Sequence, residues 1–358
     1  MNYKKLLSIF LFETVGCILA CILLIAYIDP FMHYHKPNPA YFYKLDEGRE
    51  RFVNDGILRH FEYDALITGT SMTENFKTTE SDKIFQINFI KVPFSGATYN
   101  EQCKAIETAY RNGHNLKYVI RSLDWDVHLV EGKDAWRNDL GTYPTYLYNE
   151  IYLDDIAYFM NRTALSYSTR MIKNRIKGQQ GGMTSFDEYA NWNADYTFSK
   201  EIVAEKYKQE QLKHKAKINF NNKDAEMLKE NLEQNVIALV KEHPETTFYC
   251  FFPPYSIAYW RLLYENGELE YTLKAEKLAI EMLLEYPNIK LYSFNLNNML
   301  VSNLANYKDL IHYGEWINSQ ILLWIKNGDG LLTKDNYEEY LKKEKAFYSH
   351  YDYASIFK

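Results

Sequence analysis

Near the N-terminus, Leu6 to Ile28 forms a run of 23 residues with one charge, Glu13. At ~1.5 Å rise per residue a helix over this run reaches ~34 Å, enough to cross a hydrocarbon core of ~30 Å. Lys4 and Lys5 precede the run, and Asp29-Pro30 closes it. The positive-inside rule therefore predicts residues 1–5 in the cytoplasm, a membrane anchor over 6–28, and the rest of the chain outside. The run outlasts a signal-peptide core and lacks a small-x-small site before polar sequence, which favours an uncleaved anchor. Glu13 is costly in lipid. It either faces another membrane protein or lies near enough to the cytoplasmic end to snorkel.

Beyond the anchor, residues 29–62 read as a polar, proline-bearing juxtamembrane linker. It holds one short helix or turn, with Asn54-Asp55-Gly56 as a turn signal. Residues 63–358 read as one extracytoplasmic domain. Hydrophobic residues at 47% and charged residues at 25% suffice for a sizeable core. A net charge of −6 supplies no basic footprint, which argues against a nucleic-acid partner. Of the four cysteines, Cys17 and Cys21 lie in the apolar run, while Cys103 and Cys250 fall in a helical stretch and an apolar strand. That distribution is no disulfide framework. His33 and His35 lack further ligands nearby, so they read as juxtamembrane surface and no metal site is expected.

The domain pattern is strand then helix, repeated. Strands are expected at Ala65–Thr68, Phe89–Val92, Tyr118–Ile120, Thr247–Phe252 and Ile289–Phe294. Helices are expected over 100–112, 223–241, 275–284 and 316–325, from apolar spacing of three and four, and a helix or loop-helix over 72–85. Such alternation predicts an α/β fold with a doubly wound parallel sheet. Residues 126–220 break the rhythm and read as a largely helical insertion at the C-terminal edge of the sheet. Pro253-Pro254-Tyr255-Ser256 closes the fourth strand near the same edge, as a rigid loop or a pocket wall. Trp125, Trp260 and Trp316 are candidate sugar platforms whose commoner use is core packing.

Two short motifs carry the chemistry. Ala65-Leu66-Ile67-Thr68-Gly69-Thr70-Ser71 is a buried strand that stops at a glycine and leaves Ser71 at the corner, where open α/β sheets keep their sites. A helix beginning there would offer N–H groups to an anion. Far downstream, Asp309 and His312 stand three apart just before a helix. In a turn, that spacing lets the aspartate hold one imidazole nitrogen while the other faces outward. Each residue also has a plain structural use: Ser71 as a helix cap, Asp309 as an N-cap, His312 at a helix start.

Together these features resemble the SGNH (GDSL-type) hydrolase superfamily. More narrowly, they are similar to its membrane-anchored DltD-like and AlgJ-like members, which work beside membrane-bound O-acyltransferases. Gly69-Thr70-Ser71 matches the nucleophile block, Gly96 the glycine block, and Asp309-Leu310-Ile311-His312 the acid–base block. The resemblance spans roughly residues 63–326 plus the anchor. It implies a flavodoxin-like SGNH-type sheet, a Ser71-His312-Asp309 triad, and an oxyanion hole from Ser71 and Gly96. It also implies acyl transfer to, or ester hydrolysis on, a cell-envelope glycan, with no coenzyme. A multispanning O-acyltransferase is the implied partner; a non-catalytic partner of that enzyme is the alternative. The chain departs from the family pattern twice. Gly-Thr-Ser replaces Gly-Asp-Ser, and Asp124 stands where members carry an oxyanion asparagine, in Arg121-Ser122-Leu123-Asp124. An ionised aspartate repels an oxyanion, so Asp124 must be protonated or engaged elsewhere.

Overall fold

The computed structural model describes residues 3–46, 48–124, 129–139, 143–149, 151, 153–211 and 219–357. Trp125 lies outside them. The strands are β1 Phe42–Tyr43, β2 Ala65–Gly69, β3 Phe89–Pro93, β4 Tyr118–Ser122, β5 Gly182–Met183, β6 Thr247–Phe252, β7 Ile289–Ser293 and β8 Leu331–Leu332. The chain divides into two compact units: Met1–Glu62 with Thr142–Ser185, and Tyr63–Gly141 with Phe186–Lys358.

The second unit is α/β. Its sheet has the order β3-β2-β4-β6-β7-β8, parallel except for the short antiparallel edge strand β8. Every residue of β2 and β3 is buried, as expected of parallel strands, whose continuous apolar runs suit burial on both faces. The registers Gly69↔Pro93, Ser122↔Phe251 and Phe252↔Ser293 end the parallel strands nearly level. The turns that follow them therefore leave at one edge. From β2 the chain moves outward to β3, then returns to β4 on the other side of β2. That reversal is a topological switch point, where open α/β sheets form a crevice.

One helix differs from expectation. The helix predicted over 223–241 is continuous but contains a π turn, Glu233–Ile237, between Asn222–Leu232 and Ala238–Glu242. A π turn leaves carbonyls for other donors. Asn235 O accepts from Nη1 of the buried Arg121 at 2.7 Å. Over 72–85, read as a helix or loop-helix, the second form is found: a 3-10 turn, Ser71–Thr73, then a helix only at Thr78–Phe85. The reason lies on β3. Lys91, fully buried, donates its ammonium to the carbonyls of Glu74 and Phe76. Carbonyls drawn sideways to a cation do not continue a helix. Burial pulls Lys91 down to about 7, against the opposing fields of Glu74, Asp187 and Glu315.

The first unit corrects the reading of 29–62 as a linker. The apolar helix, Tyr3–Ile28, ends because Pro30 pushes the preceding residue out of the helical region. Asp29 takes φ +43, and its carboxylate accepts the backbone N–H groups of His33, Tyr34 and His35 at 2.6–3.0 Å. Tyr158 O–H adds a fourth hydrogen bond at 2.6 Å. His33 is therefore not at the surface. It is buried, with Nδ1 on Asp55 Oδ2 and Nε2 3.5 Å from Asp155 Oδ1. Nor do Asn54-Asp55-Gly56 form a turn: they lie inside the helix Glu50–His60. Gly56 lets that helix approach the chain after the anchor, since a Cβ there would meet Phe31 O at 2.1 Å. Residues 126–220, read as one insertion, are thus shared between the two units. All four cysteines are free thiols, with Cys103 and Cys250 buried.

Because Lys91 is the shared donor of two loop carbonyls, Lys91→Met is expected to cost roughly 1–3 kcal/mol. Urea unfolding of the full chain in detergent measures it.

Candidate active site

Gly69 ends β2 against Ser122: a Cβ at residue 69 would meet Ser122 Oγ at 2.2 Å. Only glycine brings the strand end that close. Thr70 follows in extended conformation and caps the short turn, its Oγ1 accepting Met72 N–H at 3.3 Å. Ser71 opens the turn, part-buried, and its Oγ lies 2.7 Å from His312 Nε2. The turn is too short to carry a useful helix dipole, so a helix N-terminus at Ser71 is unavailable to an anion.

His312 is held by Asp309. The imidazole Nδ1 is 2.7 Å from Asp309 Oδ2, while Asp309 Oδ1 accepts the N–H groups of Ile311 and His312 at 2.9 and 2.8 Å. Asp309 thus makes the loop turn and fixes the ring it turns. Burial alone would raise its carboxyl. The charge and hydrogen bond of His312, with the two backbone donors, outweigh that and bring it to about 2. Ser71, His312 and Asp309, which are 241 residues apart at the extremes of the first contact, form one continuous hydrogen-bonded line.

The loops on either side are tied to it. Ser256 donates both N–H and Oγ–H to Leu310 O, and Tyr307 O–H donates to Pro254 O at 2.8 Å. The Pro253–Ser256 loop therefore braces the Asp309–His312 loop. Asn318 Nδ2 donates to Met72 O at 2.9 Å, linking the helix Glu315–Asn327 to the Ser71–Thr73 turn. Asn191-Trp192-Asn193, which the sequence reading did not single out, spans both. Trp192 N–H donates to Asn75 Oδ1 at 3.1 Å, and Asn193 Oδ1 accepts Glu315 N–H at 2.8 Å. The buried Trp192 ring meets His312 edge-on at 5.7 Å. The Asn-Trp-Asn cluster within a polar stretch was the available signal.

Tyr196 and Phe198 lie beside this ring, and Trp316 meets Phe198 in turn. Tyr196 is 49% and Trp316 41% exposed. The Lys308 ammonium sits 3.5 Å from the Tyr196 ring centroid and 4.1 Å from that of Trp192. Trp260, by contrast, is fully buried and stacks on Tyr348.

Gly96 occupies the turn Phe94–Ala97, closed by Ala97 N–H to Phe94 O, and takes φ +58. Glycine suits that position of the turn. Arg137 Nη1 donates to Gly96 O at 2.8 Å and lies where a Cβ would fall. The turn is joined to the nucleophile strand by Phe94 N–H to Gly69 O at 2.9 Å. Asp124 is buried, and both carboxylate oxygens are engaged: Oδ2 accepts Ser122 Oγ–H at 2.8 Å and Oδ1 accepts Tyr255 O–H at 3.0 Å. Ser122 Oγ in turn accepts Thr70 N–H at 3.3 Å. Asp124 thus braces the Thr70–Ser71 corner through Ser122.

No family model matches the chain, and no curated protein matches it.

The folded Asp309 carboxyl lies below its ordinary value of 3.8. Its ionisation therefore stabilises the fold above about pH 4, and that contribution is lost as pH falls toward about 2. The difference corresponds to on the order of 2 kcal/mol. Unfolding free energies of wild type and Asp309→Asn are expected to differ by about that amount at pH 6 and to converge by about pH 2.

Proposed function

We propose that this chain is a membrane-anchored, SGNH-like serine acyltransferase of the cell envelope, with Ser71 as nucleophile. The continuous Ser71–His312–Asp309 hydrogen-bond line carries the reading. The order of the five parallel strands, second-first-third-fourth-fifth, is the flavodoxin-like one and supports the resemblance. The apolar helix Tyr3–Ile28, long enough to span a membrane, supports an anchor with the catalytic unit outside.

In this mechanism His312 Nε2 takes the Ser71 proton as Oγ attacks the carbonyl of an ester or thioester donor. Asp309 stays ionised, orients the ring and stabilises the imidazolium. Backbone N–H groups of Ser71 and Gly96 receive the oxyanion, while the Asp124 oxygens are turned to the Ser122 and Tyr255 hydroxyls. His312 returns the proton to the leaving group, and the acyl group remains on Ser71 Oγ. A glycan hydroxyl, deprotonated by His312, then attacks the acyl-serine and regenerates the enzyme. Part-exposed Tyr196 and Trp316 belong to the aromatic cluster that Trp192 joins to His312, which supports a glycan acceptor over water. A multispanning O-acyltransferase would supply or relay the donor. The residues call for no coenzyme.

Purified full-length protein is expected to react with a fluorophosphonate at Ser71 and to lose the adduct in Ser71→Ala and His312→Ala. Asp309→Asn should slow acylation by up to about 10⁴-fold. Absence of an adduct on folded wild type would reject the enzymatic reading. If an adduct forms, acyl release with and without an added glycan oligosaccharide separates transfer from hydrolysis.

A further inference from the structure

The apolar helix Tyr3–Ile28 is exposed along residues 3–20, whereas Cys21, Ile22, Leu24, Ile25, Ala26 and Ile28 are covered in part or in full. Eighteen bare residues reach ~27 Å, close to the ~30 Å of a hydrocarbon core. The covered turns then fall at the hydrocarbon boundary, and whatever covers them lies at the depth of the lipid headgroups. The cover is the short helix Ile156–Phe159 and the helix Arg162–Ile176, both packed on the apolar helix. Tyr158 fastens them there, donating to Asp29 Oδ1 and accepting Phe31 N–H at 3.3 Å, while Phe159 stacks on Tyr34 at 5.1 Å.

Around that fastening the unit presents apolar side chains outward. Ile151 is 59%, Leu153 89%, Ile156 55% and Met160 59% exposed. The neighbouring helix is basic: Arg162, Arg170, Lys173, Arg175 and Lys177 are exposed, and no acidic residue occurs from 161 to 185. Apolar side chains flanked by cations match a bilayer boundary, with acyl chains below and anionic headgroups above.

We propose that the 151–160 segment is a second membrane contact, inserted into the headgroup–acyl boundary of the leaflet from which the apolar helix emerges. The basic helix 162–176 faces anionic lipid phosphates. The contact rests on the apolar helix crossing the bilayer and is independent of the chemistry at Ser71. Its consequence is orientational, because two contacts fix the tilt of this unit on the membrane where one helix would leave it free to swivel.

The test uses full-length protein carrying Cys17→Ala and Cys21→Ala, with a nitroxide at Leu153→Cys, Met160→Cys or Ile176→Cys. It is reconstituted in phosphatidylcholine nanodiscs with and without phosphatidylglycerol. Labels at 153 and 160 are expected to collide more with oxygen than with a water-soluble nickel chelate. Phosphatidylglycerol should shift them deeper, and Lys173→Glu with Arg175→Glu should abolish that shift. Nickel-dominated collisions at both labels would overturn the proposal. Shielding from both reagents would also overturn it, in favour of a protein occupant. Resistance of the same variants to carbonate extraction reports the anchoring helix separately.

Discussion

One carboxylate organises the end of this molecule where Ser71 and His312 meet. Asp309 turns its own loop by accepting two successive backbone N–H groups with Oδ1, and with Oδ2 it holds the imidazole of His312. A histidine on a loop has freedom in the loop and in two side-chain torsions. Asp309 removes both, so the second ring nitrogen has one place to go. That place is Ser71 Oγ, 2.7 Å away. Because the ionised carboxylate is needed to receive three donors at once, the same contacts that build the geometry keep it charged.

The surrounding scaffold is devoted to holding two loops from distant parts of the chain against each other. Asn318 and Asn75 tie the Ser71–Thr73 turn and the chain after it to the helix Glu315–Asn327 and the Trp192 loop, and Lys91 holds the Glu74 and Phe76 carbonyls that follow. Asp124 reaches the turn from the third strand of the parallel set through Ser122. These are polar ties in a buried setting, where each unmet partner is costly, so they specify one arrangement as well as stabilise it. Asp124 shows how a buried carboxylate is accommodated: two hydroxyls occupy its oxygens.

Much of this was legible in the residues. The five parallel strands are apolar runs bounded by glycine, proline or polar turns, and all five occur where those runs occur. Ser71, Asp309 and His312 could be singled out because strand ends and turn spacing are local properties. Lys91 could not, and Trp192 showed only its asparagine flanks. Their significance is a partner elsewhere in the chain, Asn75 and His312 for one, the Glu74 and Phe76 carbonyls for the other. Asn54-Asp55-Gly56 misled for the same reason: its turn propensity is local, but close packing against Phe31 rewards glycine inside a helix. His33 reads as polar surface until Asp55 and Asp155 enclose it.

By itself, then, the sequence determined a helix apolar enough to span a bilayer, an alternating α/β unit, and the three residues that form its hydrogen-bonded line. Periodicity, turn chemistry and hydropathy act over a few residues and need no partner. Only the tertiary structure decided that Ser71 and His312 meet, that Asp124 faces hydroxyls, and that residues 29–62 fold with 142–185. Those outcomes depend on side chains far apart in sequence satisfying one another's charges and hydrogen bonds, which no local pattern encodes.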